Sequence, residues 1–163
     1  MLFYDRETET FWSQMTGEAV VGPWTGKALA WIPTTVTTWK EWRAAHPATT
    51  VLRPPGPARQ YEADPYRAYR AGPQLWFPIG PGRVDPRYRA KDPVTVVVRA
   101  GKPRCYPHAA LREGVNADGD LRVVRRGASV RVEDAEGRLV PSLQAYWFAW
   151  GAFYRGGTVF GAP

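Results

Sequence analysis

The chain has 163 residues, a net charge of +7, 44% hydrophobic residues and eight tryptophans, which gives one domain large enough to bury a core without staples. One cysteine, Cys105, excludes an internal disulfide and a multi-cysteine metal site. No run approaches the roughly 20 apolar residues of a membrane-spanning helix, and "MLFYDRETET" lacks the pattern of an export signal, so the chain reads as soluble with its compartment unassigned.

At the start, "LFYD" and "TFWSQ" bracket a polar turn and predict a hairpin, followed by short strands at "AVVG" and "KALAWIP". Asp5, Arg6, Ser13, Gln14, Thr16 and Glu18, with Trp12 among them, put many hydrogen-bonding groups on a short hairpin. Gly17, Gly22 and Gly26 allow close backbone approach there. These side chains are candidate binding residues, and Glu18 is the acid or base candidate if the site is an enzyme's. "TTWKEWRAAHP" predicts a helix capped by Thr37 or Thr38, with His46 favoured at its C-terminal end by the helix dipole.

Residues 53 to 104 hold eleven Lys/Arg against four Asp/Glu, an excess equal to the whole net charge, together with ten of the 16 prolines. A belt over residues 53 to 93 is therefore extended or turning chain, with one short helix at "DPYRAYR" where Asp64 caps and Pro65 takes the first position. Arg67, Arg70, Arg83, Arg87 and Arg89, interleaved with Tyr66, Tyr69 and Tyr88, outline an anion-binding face. Arginine outnumbers lysine eighteen to four over the whole chain, the mark of a coding bias, and nucleic acid is disfavoured as a partner.

Beyond the belt, "PVTVVVRAGKPRCYP" predicts a hairpin turning at Ala100-Gly101, "HAALREG" a helical turn closed by Gly114, and "LRVVRRG" and "SVRVEDAEGRLV" further strands in which Val130, Val132 and Val140 alternate with polar neighbours. Cys105 and His108 stand at a Cys-x-x-His spacing. Two ligands do not hold a tetrahedral metal, so the reading is a buried thiol near a surface histidine, with no metal and no cofactor. "TTWKEWRAAHPATTVL" overlays "AYWFAWGAFYRGGTVF" without a gap, placing Trp39, Trp42, Thr50 and Val51 on Trp147, Trp150, Thr158 and Val159. Each copy reads as helix, turn and strand, within units of about 2–52 and 130–160, and the paired tryptophans read as core. The alternative is a tryptophan platform for sugar rings. Taken together, the expectation is a single α+β domain over 1–163. Its short antiparallel strands form a curved sheet or barrel-like core, with two or three short helices and a duplicated helix-turn-strand unit.

Tyr4-Asp5-Arg6, Trp12-Ser13-Gln14, Thr16-Gly17-Glu18-Ala19, Gly22-Pro23 and "TTWKEWRAAHP", then Asp64-Pro65-Tyr66 with Tyr69, Tyr106-Pro107 and the closing "YWFAWGAFYRGGTVF", resemble in order a bacterial family catalogued as domain of unknown function thirty-one seventy-nine. The resemblance adds Asp64, Tyr66 and Tyr69 to the candidate binding residues. Family members run longer, with an export signal or membrane anchor and an upstream Cys-Pro-x-Cys-Gly string. It implies an extracytoplasmic setting and a chain that begins after that string, for which Cys105 is no substitute. The function expected is a non-enzymatic binding or scaffolding module whose partner is another protein or the upstream half. The alternatives are a small-molecule or enzyme site around Asp5, Ser13, Gln14 and Glu18, and recognition of glycan or nucleic acid by aromatics and the arginine belt. An open edge at "LFYD", carrying Leu2 and Phe3, further predicts a homodimer, unless the proline-rich belt covers it.

Overall fold

The structure is a computed structural model that describes residues 2–53, 55–57, 63–76, 79–80 and 84–161. Arg83 of the predicted anion-binding face lies outside them. The described chain forms three α-helices and ten strands in three sheets, an α+β fold in which no sheet closes into a barrel. The short, mostly antiparallel strands are divided among these three sheets.

The N-terminal sheet runs β1 (Leu2–Asp5), β2 (Thr10–Ser13) and β3 (Ala19–Val21), all antiparallel, in spatial order β1-β2-β3. "KALAWIP" forms no strand: only Ala28 makes a single bridge, to Glu18. Pro33 ends the segment and Trp24 to Lys27 are taken up in a tight turn closed on Gly22 and Trp24 carbonyls, so no ladder extends. α1 (Trp39–Ala45) follows, capped at Thr38: its hydroxyl accepts the Glu41 N–H while the Glu41 carboxylate accepts the Thr38 N–H, a reciprocal capping box.

The central sheet is β4 (Pro93–Arg99), β5 (Lys102–Pro107), β9 (Leu143–Tyr146) and β10 (Thr158–Val159), in order β10-β5-β4-β9. β10 joins parallel to β5, and the other pairs are antiparallel. The run "VTVVV" suits it because Val94, Val96 and Val97 are buried with Thr95, so both faces of β4 are covered. One face, with Val94, Val96 and Cys105, packs against Trp147 and Trp150 of α3 (Trp147–Phe153) and Tyr154 behind it. The other, with Val97 and Tyr106, packs against Leu121, Val123, Val130 and Val132.

Those last residues belong to the third sheet, an antiparallel meander of β6 (Gly114–Asp118), β7 (Leu121–Arg126) and β8 (Ser129–Glu133). A polar clamp ties it to the central sheet: the Asp118 carboxylate accepts from both Nε and Nη2 of Arg104 and from the Tyr106 hydroxyl at 2.7 Å, and Arg104 also donates to Thr158 at 3.0 Å. β6 and β9 were not predicted, because "GVNAD" and "LQAY" are too short and too polar to show a period.

The overlaid segments fold alike in their helices and unlike elsewhere. α1 and α3 each span seven residues and begin at the aligned tryptophans. Residues 49–53 form no strand, whereas Thr158–Val159 do, on an edge that β5 provides. Trp147 and Trp150 are 1% and 4% exposed, but Trp39 and Trp42 are 50% and 40% exposed and α1 buries no residue. The core reading therefore fails for the first pair, since helical spacing puts two rings on one face and only a partner surface can bury that face. Asp64 and Pro65 do not open the predicted short helix either. α2 (Arg67–Ala71) starts two residues later behind Tyr66, and Asp64 instead accepts the Tyr66 N–H in a turn that takes up Pro65.

Candidate functional site

The polar hairpin is built from two turns, and most of its side chains are occupied in making them. At the β1–β2 turn the Asp5 carboxylate accepts the Glu7 N–H at 2.9 Å and the Thr8 hydroxyl at 2.6 Å. The Thr8 bond, with the Glu7 bond behind it, holds the Asp5 carboxyl below the usual carboxylate range. Arg6 is exposed in the same turn. Trp12 is 5% exposed, with its ring edge-on to Trp24 at 6.0 Å and Lys27 over Trp24.

Ser13 is buried, and its hydroxyl accepts the Thr16 N–H at 3.2 Å while its carbonyl accepts the Gly17 N–H. The Thr16 hydroxyl in turn accepts the Glu18 N–H. Gly17 is needed here twice over: its φ is +72°, and a Cβ would lie 2.8 Å from the Trp31 Nε1. Gln14 is exposed at the tip. Ser13 and Thr16 are thus turn-forming groups, and Glu18 is the carboxylate left at a surface. It lines an open hollow of about 380 Å3 with Thr16, Trp31, Pro103 and Tyr154. The Tyr154 hydroxyl donates to the Met15 carbonyl, which fastens the hairpin to the end of α3. Burial, and then the Glu18 charge, push that phenol up to about 12.

Asp64, Tyr66 and Tyr69 gather in a second place. Asp64 pairs with Arg70, and Tyr66 and Tyr69 bracket Trp76 with ring centroids 5.8 and 4.3 Å away. The ring contacts continue from Tyr69 to Tyr146 at 6.4 Å and from Tyr146 to Phe148 at 6.0 Å. Lys91 sits over Tyr69 at 3.6 Å and donates to the Tyr69 and Gly72 carbonyls, holding α2 against the sheet end. Among the described residues no hydrogen bond or ring contact joins this cluster to the hairpin. Trp76, Lys91, Tyr146 and Phe148 were missed by sequence reasoning; the aromatic spacing of "YWFAW" was read only for its tryptophans. Of the belt arginines, Arg70 and Arg87 are each engaged by an aspartate, and Arg87 donates to Asp85 from its backbone N–H, its Nε and its Nη2.

Cys105 and His108 do not form a site together. Cys105 faces α3, where burial pushes its thiol up to about 12. His108 bonds Thr95 at 2.9 Å, and Thr95 alternates with Val94 and Val96 so that it faces the third sheet. The histidine is buried, not at the surface as its sequence position implied, because the turn His108–Ala110 folds back under β4. Among the described residues no group of three or more His, Cys, Asp or Glu could hold a metal ion.

Burial, reinforced by the Arg125 charge, lowers the His108 imidazole from 6.5 to about 4. Its folded value lies below its unfolded one, so its contribution to stability is present above pH 6.5 and is lost as pH falls, while the unfolded chain takes up a proton that the folded one refuses. Between pH 7 and pH 5 the expected loss is about 2 kcal/mol. Urea unfolding at the two pH values checks it: His108→Gln should flatten that part of the profile, and an identical slope in the variant would remove His108 as its cause.

The protein-family model described as "Protein of unknown function (DUF3179)" matches residues 1–126. The match takes in the hairpin, the aromatic cluster's α2 side and the Asp118 clamp, and stops before α3. No curated protein and no solved structure matches the chain. Among the described residues no helix is long and apolar enough to cross a membrane.

Proposed function

The chain belongs to the DUF3179 family of proteins of unknown function, and from that premise we propose that it is a non-enzymatic binding module that docks an extended segment of a protein partner on its N-terminal sheet. The observation that carries this reading is the state of β1. It pairs with β2 on one side only among the described residues. The register puts Leu2, Tyr4, Phe11 and Val21 on one face, and these are 51%, 50%, 37% and 57% exposed. An edge with free backbone groups beside an apolar face is the surface that strand addition uses: main-chain bonds supply affinity and alternate side chains supply choice. The hairpin's polar groups support the reading by their role, since Asp5, Ser13 and Thr16 hold the turns on either side of β2.

Tyr4→Lys and Phe11→Lys place charges on this face without touching the core. Partners captured from a native extract by the wild-type protein should be lost by the double variant at unchanged melting temperature. Recovery of the same partners by the variant would end the proposal. The same edge could pair two copies across a two-fold axis, and sedimentation equilibrium separates that outcome: a single 18.3 kDa species at high micromolar concentration excludes the homodimer.

A second reading, recognition of a sugar polymer, is favoured by the ring chain from Tyr66 through Trp76 to Phe148, whose outer members Tyr66 and Trp76 are 52% and 58% exposed. A glycan panel at low salt tests it, and no binding by the wild-type protein removes it.

A further inference from the structure

A hollow of about 880 Å3 lies between residues 33–46 and the outer face of the third sheet. Its size is within the about 300–1,000 Å3 typical of small-molecule sites. We infer that this groove binds a small ligand in which a carboxylate or phosphate is carried next to a ring, the anion held by Arg126 and Arg131 and the ring laid against Trp42.

Strand register assembles the cationic wall. Arg126 pairs with Ser129 and Val124 with Arg131, so Arg126, Ser129 and Arg131 share the face of β7 and β8 that points away from the core. The Arg126 side chain forms no hydrogen bond or ion pair among the described residues, which leaves its planar fork free for an oxygen pair. Arg131 gives its Nε to Glu133 at 2.7 Å, and its terminal nitrogens remain. The Ser129 hydroxyl donates to the Val36 carbonyl, which ties the two walls together at one end.

On the opposite wall Trp42 is held ready. Its Nε1 donates to Thr49 at 3.0 Å, and the His46 ring lies against it at 4.0 Å, so the indole is fixed while 40% of the residue stays exposed. A ring that is already ordered binds without the usual entropy loss of a free side chain, and its negative face favours the polarised C–H edge of a sugar or the plane of a base. The acid in this wall does not oppose an anion as a free charge would: the Glu41 carboxylate is turned onto the Thr37 and Thr38 hydroxyls and the Thr38 N–H at the helix cap. These features also account for an exposed α1 that buries nothing.

Calorimetric titration of the intact protein with glucuronate, glucose 6-phosphate and adenosine monophosphate tests the inference and separates the sugar from the nucleotide source. Neutral glucose and adenosine serve as the comparisons. At least one anionic ligand should bind in the millimolar range or tighter, about 10-fold more tightly than its neutral counterpart. Arg126→Gln should weaken it by about 10-fold, with unchanged melting temperature because the side chain is exposed and unpaired. Arg155→Gln, which removes a charge beside a different hollow, should leave it unchanged. Absence of binding by all three anions, equal binding of the neutral counterpart, or equal loss in both arginine variants would overturn the inference.

Discussion

Trp147→Ala is expected to destabilise the protein by about 3–5 kcal/mol, the range for truncating a buried aromatic. Trp147 is 1% exposed, donates its Nε1 to the Asp85 carbonyl at 2.7 Å, and meets Tyr88 edge-on at 4.9 Å. Alanine there would open a cavity against Val94, Val96 and Cys105 and leave the Asp85 carbonyl without its donor. Trp42→Ala, in the aligned position of the other helical pair's second ring, is expected to cost less than about 1 kcal/mol, as surface changes do. Urea midpoints at constant slope measure both, and equal losses in the two variants would mean that α1 is packed as α3 is.

Gly157→Ala should cost at least the upper end of the about 1–3 kcal/mol typical of overpacking. An added Cβ would lie 2.3 Å from the Trp150 Cη2, 2.8 Å from its Cζ2 and 2.9 Å from the Pro103 carbonyl oxygen. Trp150 is 4% exposed and stacked on Tyr154 at 5.4 Å, so its ring is held by its neighbours. Moving the backbone instead would pull β10 off β5. The neighbouring Gly156→Ala separates space from backbone conformation, since nothing lies near its Cβ and its penalty comes from φ +79°. A Gly157→Ala protein as stable as wild type would show that the tryptophan can shift.

Much of the fold was legible where one short rule decides. The hairpin at Ala100-Gly101, the Thr38 cap with Glu41 three residues on, and the alternation of Val130 and Val132 each follow from local chemistry that tertiary packing did not override. What the sequence could not show is which of two similar faces finds a partner. Trp39 and Trp42 have the same spacing as Trp147 and Trp150, yet only the second pair lands on Val94 and Val96. The candidate residues divide in the same way. Polar density at Asp5, Ser13 and Thr16 marked turns whose hydrogen bonds are satisfied within a few residues. The groove of Arg126, Arg131 and Trp42 joins positions more than eighty residues apart, so no local pattern announces it.

The position of β10 has a consequence for how the protein is made. Among the described strands, Thr158–Val159 is synthesised after all the others, and it inserts parallel beside β5, completing an edge that the hairpin of β4 and β5 has shown since residue 107. α3 arrives only shortly before it. Until then the nascent chain leaves Val94, Val96 and Cys105 uncovered. A ribosome that stalls before residue 147 therefore releases a product whose most β-prone segment is unprotected.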